Sequence, residues 1–152
     1  MSTAMGMVHV HDGMLSAATL GELYRGVDGF VLATHGEGWG LPLLEAMASG
    51  LPTIATAWGG QTDFMQEERA FLVAPEAALV PAPDDFEGFA WAQPEQSALR
   101  AAMRRVVEGC EGGETQAVAR RGLEWVREHY QYRTVAAGAL RLLADAAELP
   151  AG

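Results

Sequence analysis

The sequence predicts an α/β fold: a short, mostly parallel, Rossmann-like sheet flanked by helices and followed by a helical tail. Three observations predict it. Residues 29–34 (GFVLAT) and 52–56 (PTIAT) are compact apolar runs of the kind found in strands buried on both faces. Helical patterns separate and precede them. The rhythm of strand, helix, strand implies right-handed crossovers and parallel pairing.

The elements follow in order. Residues 7–11 read as a short strand. Residues 16–26 place Leu20, Leu23, Tyr24 and Val27 at helical spacing, with Ser16 or Thr19 as the N-cap. The strand at 29–34 runs into a glycine-rich loop, residues 35–40. Residues 41–49 form a helix, with Pro42 suited to its first turn and Gly50 to its end. After the strand at 52–56, Trp58-Gly59-Gly60 makes a turn expected to pack its indole, and a short helical segment spans 61–66. Residues 71–73 read as a further strand. The stretch 74–93 carries Pro75, Pro81 and Pro83 and reads as an irregular loop anchored by Trp91. From Pro94 the pattern is helical. Leu99, Met103 and Val106 share a face beside Ala102; residues 109–113 separate this helix from one at 114–129; a last helix, about 133–147, aligns Val135, Ala139, Leu142 and Ala146.

Length and composition bound the function. The chain has 152 residues, 49% of them hydrophobic, enough for one domain or part of one. Its 20 Asp and Glu against 10 Arg, with no Lys, give a net charge of −10. That charge argues against a nucleic-acid binder or an anionic membrane surface as partner. No apolar run approaches the ~20 residues of a membrane span, and the N-terminus has no secretory pattern. The single Cys110 excludes an internal disulfide and suits a reducing, cytoplasmic compartment.

The informative segment runs from Thr34 to Gly50. It lies where a parallel strand ends and a helix begins, the place where open α/β sheets bind ligands. Gly36, Gly38 and Gly40 allow close backbone approach and φ > 0. The helix that follows turns its free N–H groups and positive dipole end toward this loop, an anion site. Glu37 stands on the loop, and Glu45, one turn into the helix, faces the same crevice. A carboxylate accepts two hydrogen bonds from vicinal hydroxyls, as acidic residues do with ribose. An anion site with two such carboxylates fits a nucleoside-diphosphate sugar. By spacing alone a tight glycine turn with a dipole-compensating Glu explains the same residues.

The longer phrase favours the ligand site. Glu37 and Glu45 form E-x7-E, and HGEGWGLPLLEAMASGLPTIATAWGGQTDF resembles the signature of glycosyltransferase family 4, retaining, metal-independent enzymes of the two-domain GT-B fold. The likeness is dense over residues 8–73, thins through the Pro-rich insert at 74–93, and resumes loosely in the helical part, 94–147. It implies one partial donor-binding domain over residues 1–152. On this resemblance Glu37 is the catalytic-site glutamate that contacts the donor sugar. Gly38, Trp39, Gly40 and Leu41 form the loop whose amides hold sugar hydroxyls and phosphate, and Glu45 binds the ribose hydroxyls. The implied reaction transfers a sugar from a UDP-, GDP- or ADP-sugar with retention, without metal or cofactor.

The pattern departs from the family in one respect. The Arg and Lys that clamp the donor diphosphate, and the acceptor domain, have no counterpart; neither Arg25 nor Arg69 matches the clamp. The expectation is therefore a glycosyltransferase-like chain incomplete as an enzyme by itself. The alternatives are a non-catalytic nucleotide-sugar-binding module, or an α/β interaction domain that keeps a relic motif. An unpaired sheet edge would favour a partner chain or a homo-oligomer.

Other residues read as structural. His9 and His11, with Asp12, fall short of a zinc ligand set. His35 reads as loop-stabilising, Cys110 as an ordinary thiol. Asp84-Asp85-Phe86-Glu87 reads as a solvated loop. Arg104-Arg105 and Arg120-Arg121 read as charged helix faces.

Overall fold

A computed structural model describes residues 6–82 and 87–147. Three parallel strands make the central sheet: β1 (Phe30–Leu32), β2 (Thr53–Thr56) and β3 (Phe71–Val73), in that spatial order. Phe30 pairs with Thr53, and Ile54 with Phe71. Helix α1 (Ala17–Arg25) precedes β1, and α2 (Leu41–Ala48) crosses from β1 to β2. The expected α/β architecture is present.

The sheet has two covered faces, set by the alternation of side chains along each strand. Leu32, Ala55 and Leu72 join Leu43 and Met47 of α2 in one cluster, with Phe64, Met65 and Ala70. Ile54, Phe71 and Val73 point the other way, onto Leu99, Ala102 and Val106 of α3 (Gln96–Gly112). Helix α4 (Glu114–His129) reaches both clusters, through Val126 and Val118 respectively. Its Gly122 lies against the loop before β3, where a Cβ would meet the Arg69 carbonyl oxygen at 2.8 Å.

Local chemistry explains the element ends. Ser16 caps α1 by accepting from Thr19 N–H, 3.1 Å. Helix α2 ends in a Schellman motif: Gly50, at φ +77°, and Leu51 bond back to the Met47 and Ala46 carbonyls. Gly113, at φ +75°, alone divides α3 from α4, so the expected five-residue break shrinks to one turn.

Four expectations are corrected. Residues 7–11 form no strand; they are exposed, Met7, Val8 and Val10 each more than 80%. β1 is not buried on both faces: among the described strands it is an edge strand, and Val31 is 41% exposed in an open pocket that it shares with Met103, Val106 and Val107 of α3. Residues 74–93 are not wholly irregular, since β4 (Val80–Pro81) and β5 (Ala90–Trp91) pair antiparallel. Met103 does not share the buried face of α3 and stays half-exposed. The final helix, α5 (Tyr132–Ala147), has the expected extent but buries no residue, Val135 and Leu142 included. Asp84, Asp85 and Phe86 lie outside the described residues.

Candidate functional site

The loop after β1 sits at the carboxyl end of the sheet, and a second loop, after β2, docks onto it. Gly60 N–H donates to the Glu37 carbonyl at 2.9 Å. The contact is so close that a Cβ on Gly60 would fall 2.1 Å from the Gly38 carbonyl oxygen. Gly59, at φ +95°, would bring a Cβ within 3.0 Å of the Glu37 backbone. Beneath both loops Gln61 is fully buried and donates through Nε2 to the Thr56 carbonyl, 3.0 Å. The Thr56 hydroxyl in turn donates to the Thr34 carbonyl, 2.7 Å, tying the ends of β2 and β1 together. Thr34 Oγ1 and Gln61 Oε1 are buried with no partner among the described residues.

The three loop glycines differ. Only Gly40 takes a positive φ, +90°, and it is buried against Leu43, Gln61 and Phe64. Gly36 and Gly38 need no left-handed backbone and have open space where a Cβ would be. The fold thus requires glycine at position 40 but leaves 36 and 38 free. Gly40 is the N-cap of α2, so no side chain caps that helix. Leu43 and Leu44 N–H return to the Gly40 carbonyl, and the positive pole of α2 is directed at the loop.

The predicted side chains are placed as follows. Glu37 is half-buried at the junction of the two loops. Trp39 turns inward, its ring 5.6 Å from Phe64 and 5.8 Å from Tyr130. Leu41 is exposed at the start of α2. Glu45 is exposed on α2, and its Oε2 accepts from the Tyr24 hydroxyl at 3.2 Å. Tyr24 is only 6% exposed. Burial, the hydrogen bond to Glu45 and the charge of Glu45 push its phenol up to about 12.

The neighbouring residues settle several secondary expectations. His35 is loop-stabilising: it stacks on Trp91 at 5.4 Å and its Nε2 lies 2.8 Å from Gln93 Oε1, tying the insert to the loop. The Trp58 indole, expected to pack, is partly covered and 38% exposed. Arg69 is structural, bonding the Phe64 carbonyl and lying 4.4 Å over the Trp125 ring. Arg105 pairs with Glu114, and Arg120 with Glu124, on helix surfaces. Cys110 is exposed, its Sγ bonded to the Val106 carbonyl. Sequence reasoning missed Tyr24 and Gln61: one read as part of an apolar helix face, the other as part of a short helical turn, and neither pattern signals a polar contact 21 or 5 residues away.

The fold and these loops define a Rossmann-like domain whose glycine-rich loop lies at the carboxyl end of its first strand. The sequence profile of the family "Glycosyl transferases group 1" matches residues 3–92, and the chain belongs to that family. Its segment of 64 residues is 41% identical to the sulfoquinovosyl transferase SQD2 of Arabidopsis thaliana, a match that spans 42% of this chain and 12% of that protein. The structure resembles the C-terminal domain of a glycosyl transferase group 1 family protein from Francisella tularensis (TM-score 0.57, 25% identity, 80% of this chain and 53% of that one). It also resembles a sucrose-phosphate synthase from Thermosynechococcus elongatus (TM-score 0.64, 25% identity, 90% of this chain and 30% of that one). The architecture is that of part of a GT-B C-terminal domain. The chain spans a small fraction of the curated relatives that it matches. Among the described residues no helix is long and apolar enough to cross a membrane.

Proposed function

We propose that this chain supplies the donor-binding part of a retaining glycosyltransferase, holding a nucleoside-diphosphate sugar at the loop between β1 and α2. The observation that carries the proposal is the pair Gly36 and Gly38. Their backbone does not require glycine, and the space beside them is open where the uncapped pole of α2 is directed. Small residues that the fold does not need, at an anion-favouring helix end, suit close approach of a ligand.

In this reading the amides from Gly38 to Leu41 meet sugar hydroxyls and phosphate. Glu45 accepts from the ribose hydroxyls, and Glu37 lies by the sugar near the reacting face. The acceptor oxygen bonds to the anomeric carbon while the bond from that carbon to the diphosphate oxygen breaks. The diphosphate leaves with the electron pair and takes up the acceptor's hydroxyl proton on one of its oxygens, and the α2 pole stabilises its growing charge. Retention follows when attack comes from the face the diphosphate leaves. A diphosphate also calls for cations, yet the chain has no Lys, none of its ten Arg lies on the loop at 35–40, and Arg69 is engaged by the Phe64 carbonyl and the Trp125 ring. The clamp and the acceptor site therefore come from outside these residues, and the chain is incomplete as an enzyme by itself.

Calorimetry with UDP, GDP and ADP tests the binding step. One of the three gives saturable heat, and Glu45→Ala weakens it. No heat with any of them, or an unchanged affinity in Glu45→Ala, overturns the assignment.

A further inference from the structure

We propose that Tyr24 is a positioning residue for this site: its hydroxyl fixes the Glu45 carboxylate in the orientation that reads the ribose hydroxyls of a bound nucleoside diphosphate. The inference rests on the donor-site reading above and adds to it a residue from a different element.

The contrast in mobility is the starting point. Glu45 is exposed on α2 and has three side-chain torsions, so ordering it on a ligand costs conformational entropy. Tyr24 is held rigidly. It is buried on α1, and its ring packs edge-on against Phe30 of β1, with centroids 5.7 Å apart at 63°. From that seat the hydroxyl reaches Glu45 Oε2 at 3.2 Å, with the Pro42 carbonyl a second acceptor at 3.4 Å. Both acceptors belong to the first turns of α2, so the phenol is directed at the base of the ligand loop.

The stoichiometry of the contact leaves the carboxylate usable. A phenol donates one hydrogen bond, while an ionised carboxylate has about four acceptor positions. Tyr24 occupies one, on Oε2; Oε1 and the remaining lone pairs stay open to ligand hydroxyls. The phenol, pushed up to about 12, stays protonated and remains a donor across the physiological range. Glu45 is thus ordered before a ligand arrives, which is how preorganisation raises affinity and sharpens discrimination. A staple that merely joined α1 to α2 would raise stability and leave ligand discrimination alone.

The experiment compares wild type, Tyr24→Phe and Glu45→Ala by calorimetry, using whichever of UDP, GDP and ADP binds and its 2′-deoxy form. Phe keeps the ring packing, and thermal melts confirm that each variant is folded. Tyr24→Phe weakens the ribonucleotide by roughly fivefold to tenfold and shrinks the preference for ribose over deoxyribose by a similar factor. Glu45→Ala removes the preference. If Glu45→Ala removes it while Tyr24→Phe leaves it unchanged, Tyr24 is only a staple and this inference falls with the site reading intact. If Glu45→Ala also leaves it unchanged, or no nucleotide binds, the site reading falls and takes the inference with it.

Discussion

Gly60 lies so close to Gly38 that any Cβ would sit 2.1 Å from the Gly38 carbonyl oxygen. The loops after β1 and β2 are therefore one rigid unit, and their glycines divide into two kinds. Gly60 is required by the protein itself. Gly38 has nothing within 4 Å of a Cβ and no positive φ. Gly60→Ala should lower stability by about 2–3 kcal/mol, because the obstacle is backbone and cannot swing away. Gly38→Ala should change stability by less than ~0.5 kcal/mol, or raise it slightly through the unfolded chain. It should nevertheless reduce nucleotide affinity by about tenfold. Urea unfolding and calorimetry on the two variants measure both effects. A Gly38→Ala protein that binds normally would mean that the open space is not ligand space.

Gly122 predicts a second backbone constraint, away from the site. A Cβ there would meet the Arg69 carbonyl at 2.8 Å and the Met47 methyl at 3.2 Å. Gly→Ala in a helix ordinarily stabilises by up to ~1 kcal/mol. Here the clash should win, and Gly122→Ala should destabilise by about 1–3 kcal/mol. A midpoint in urea equal to or above that of wild type contradicts this packing of α4.

Tyr24 gives stability a defined alkaline dependence. Its phenol ionises near 10 in the unfolded chain and at about 12 in the folded one. The folded state therefore holds the proton more tightly. The resulting stability is fully present below pH 10 and is lost as pH rises through about 12. Two units at about 1.4 kcal/mol each amount to roughly 2–3 kcal/mol. The stability difference between wild type and Tyr24→Phe should be constant from pH 7 to 9 and shrink between pH 10 and 12. Burial is the main cause of the shift and the Glu45 contact adds to it, so a difference that is flat across that interval would show that the phenol is neither buried nor bonded to Glu45 in solution.

Much of this was legible in the residues. The strands at Thr53–Thr56 and Phe71–Val73, the α2 start at Pro42 and the stop at Gly50 follow from local patterns, and the structure has them. The loop's place at the carboxyl end of β1 follows from the same rhythm. What failed depends on neighbours distant in sequence. Residues 7–11 alternate like a strand, but among the described residues no strand pairs with them. Residues 29–34 read as fully buried, but α3 meets this face across an open pocket shared by Val31, Met103 and Val107, which leaves Val31 41% exposed. The Val80–Trp91 pairing hides among prolines, because a two-residue ladder needs little propensity. In the candidate site, Glu37, Gly38 and Glu45 could be named through the likeness of the longer phrase, since their spacing alone suits a glycine turn equally well. Tyr24 could not, because its partner is 21 residues on and only the crossing of α1 and α2 brings them together.

The central claim is that the loop between β1 and α2 binds a nucleoside diphosphate. Backbone amide NMR on the labelled chain, titrated with UDP, GDP or ADP, tests it most directly. The account predicts saturable shifts concentrated at Gly36, Gly38, Gly40 and Leu41, with Gly59 and Gly60 following because they dock on that loop. Shifts absent with all three nucleotides, or confined to the surfaces of α3, α4 and α5, would contradict it.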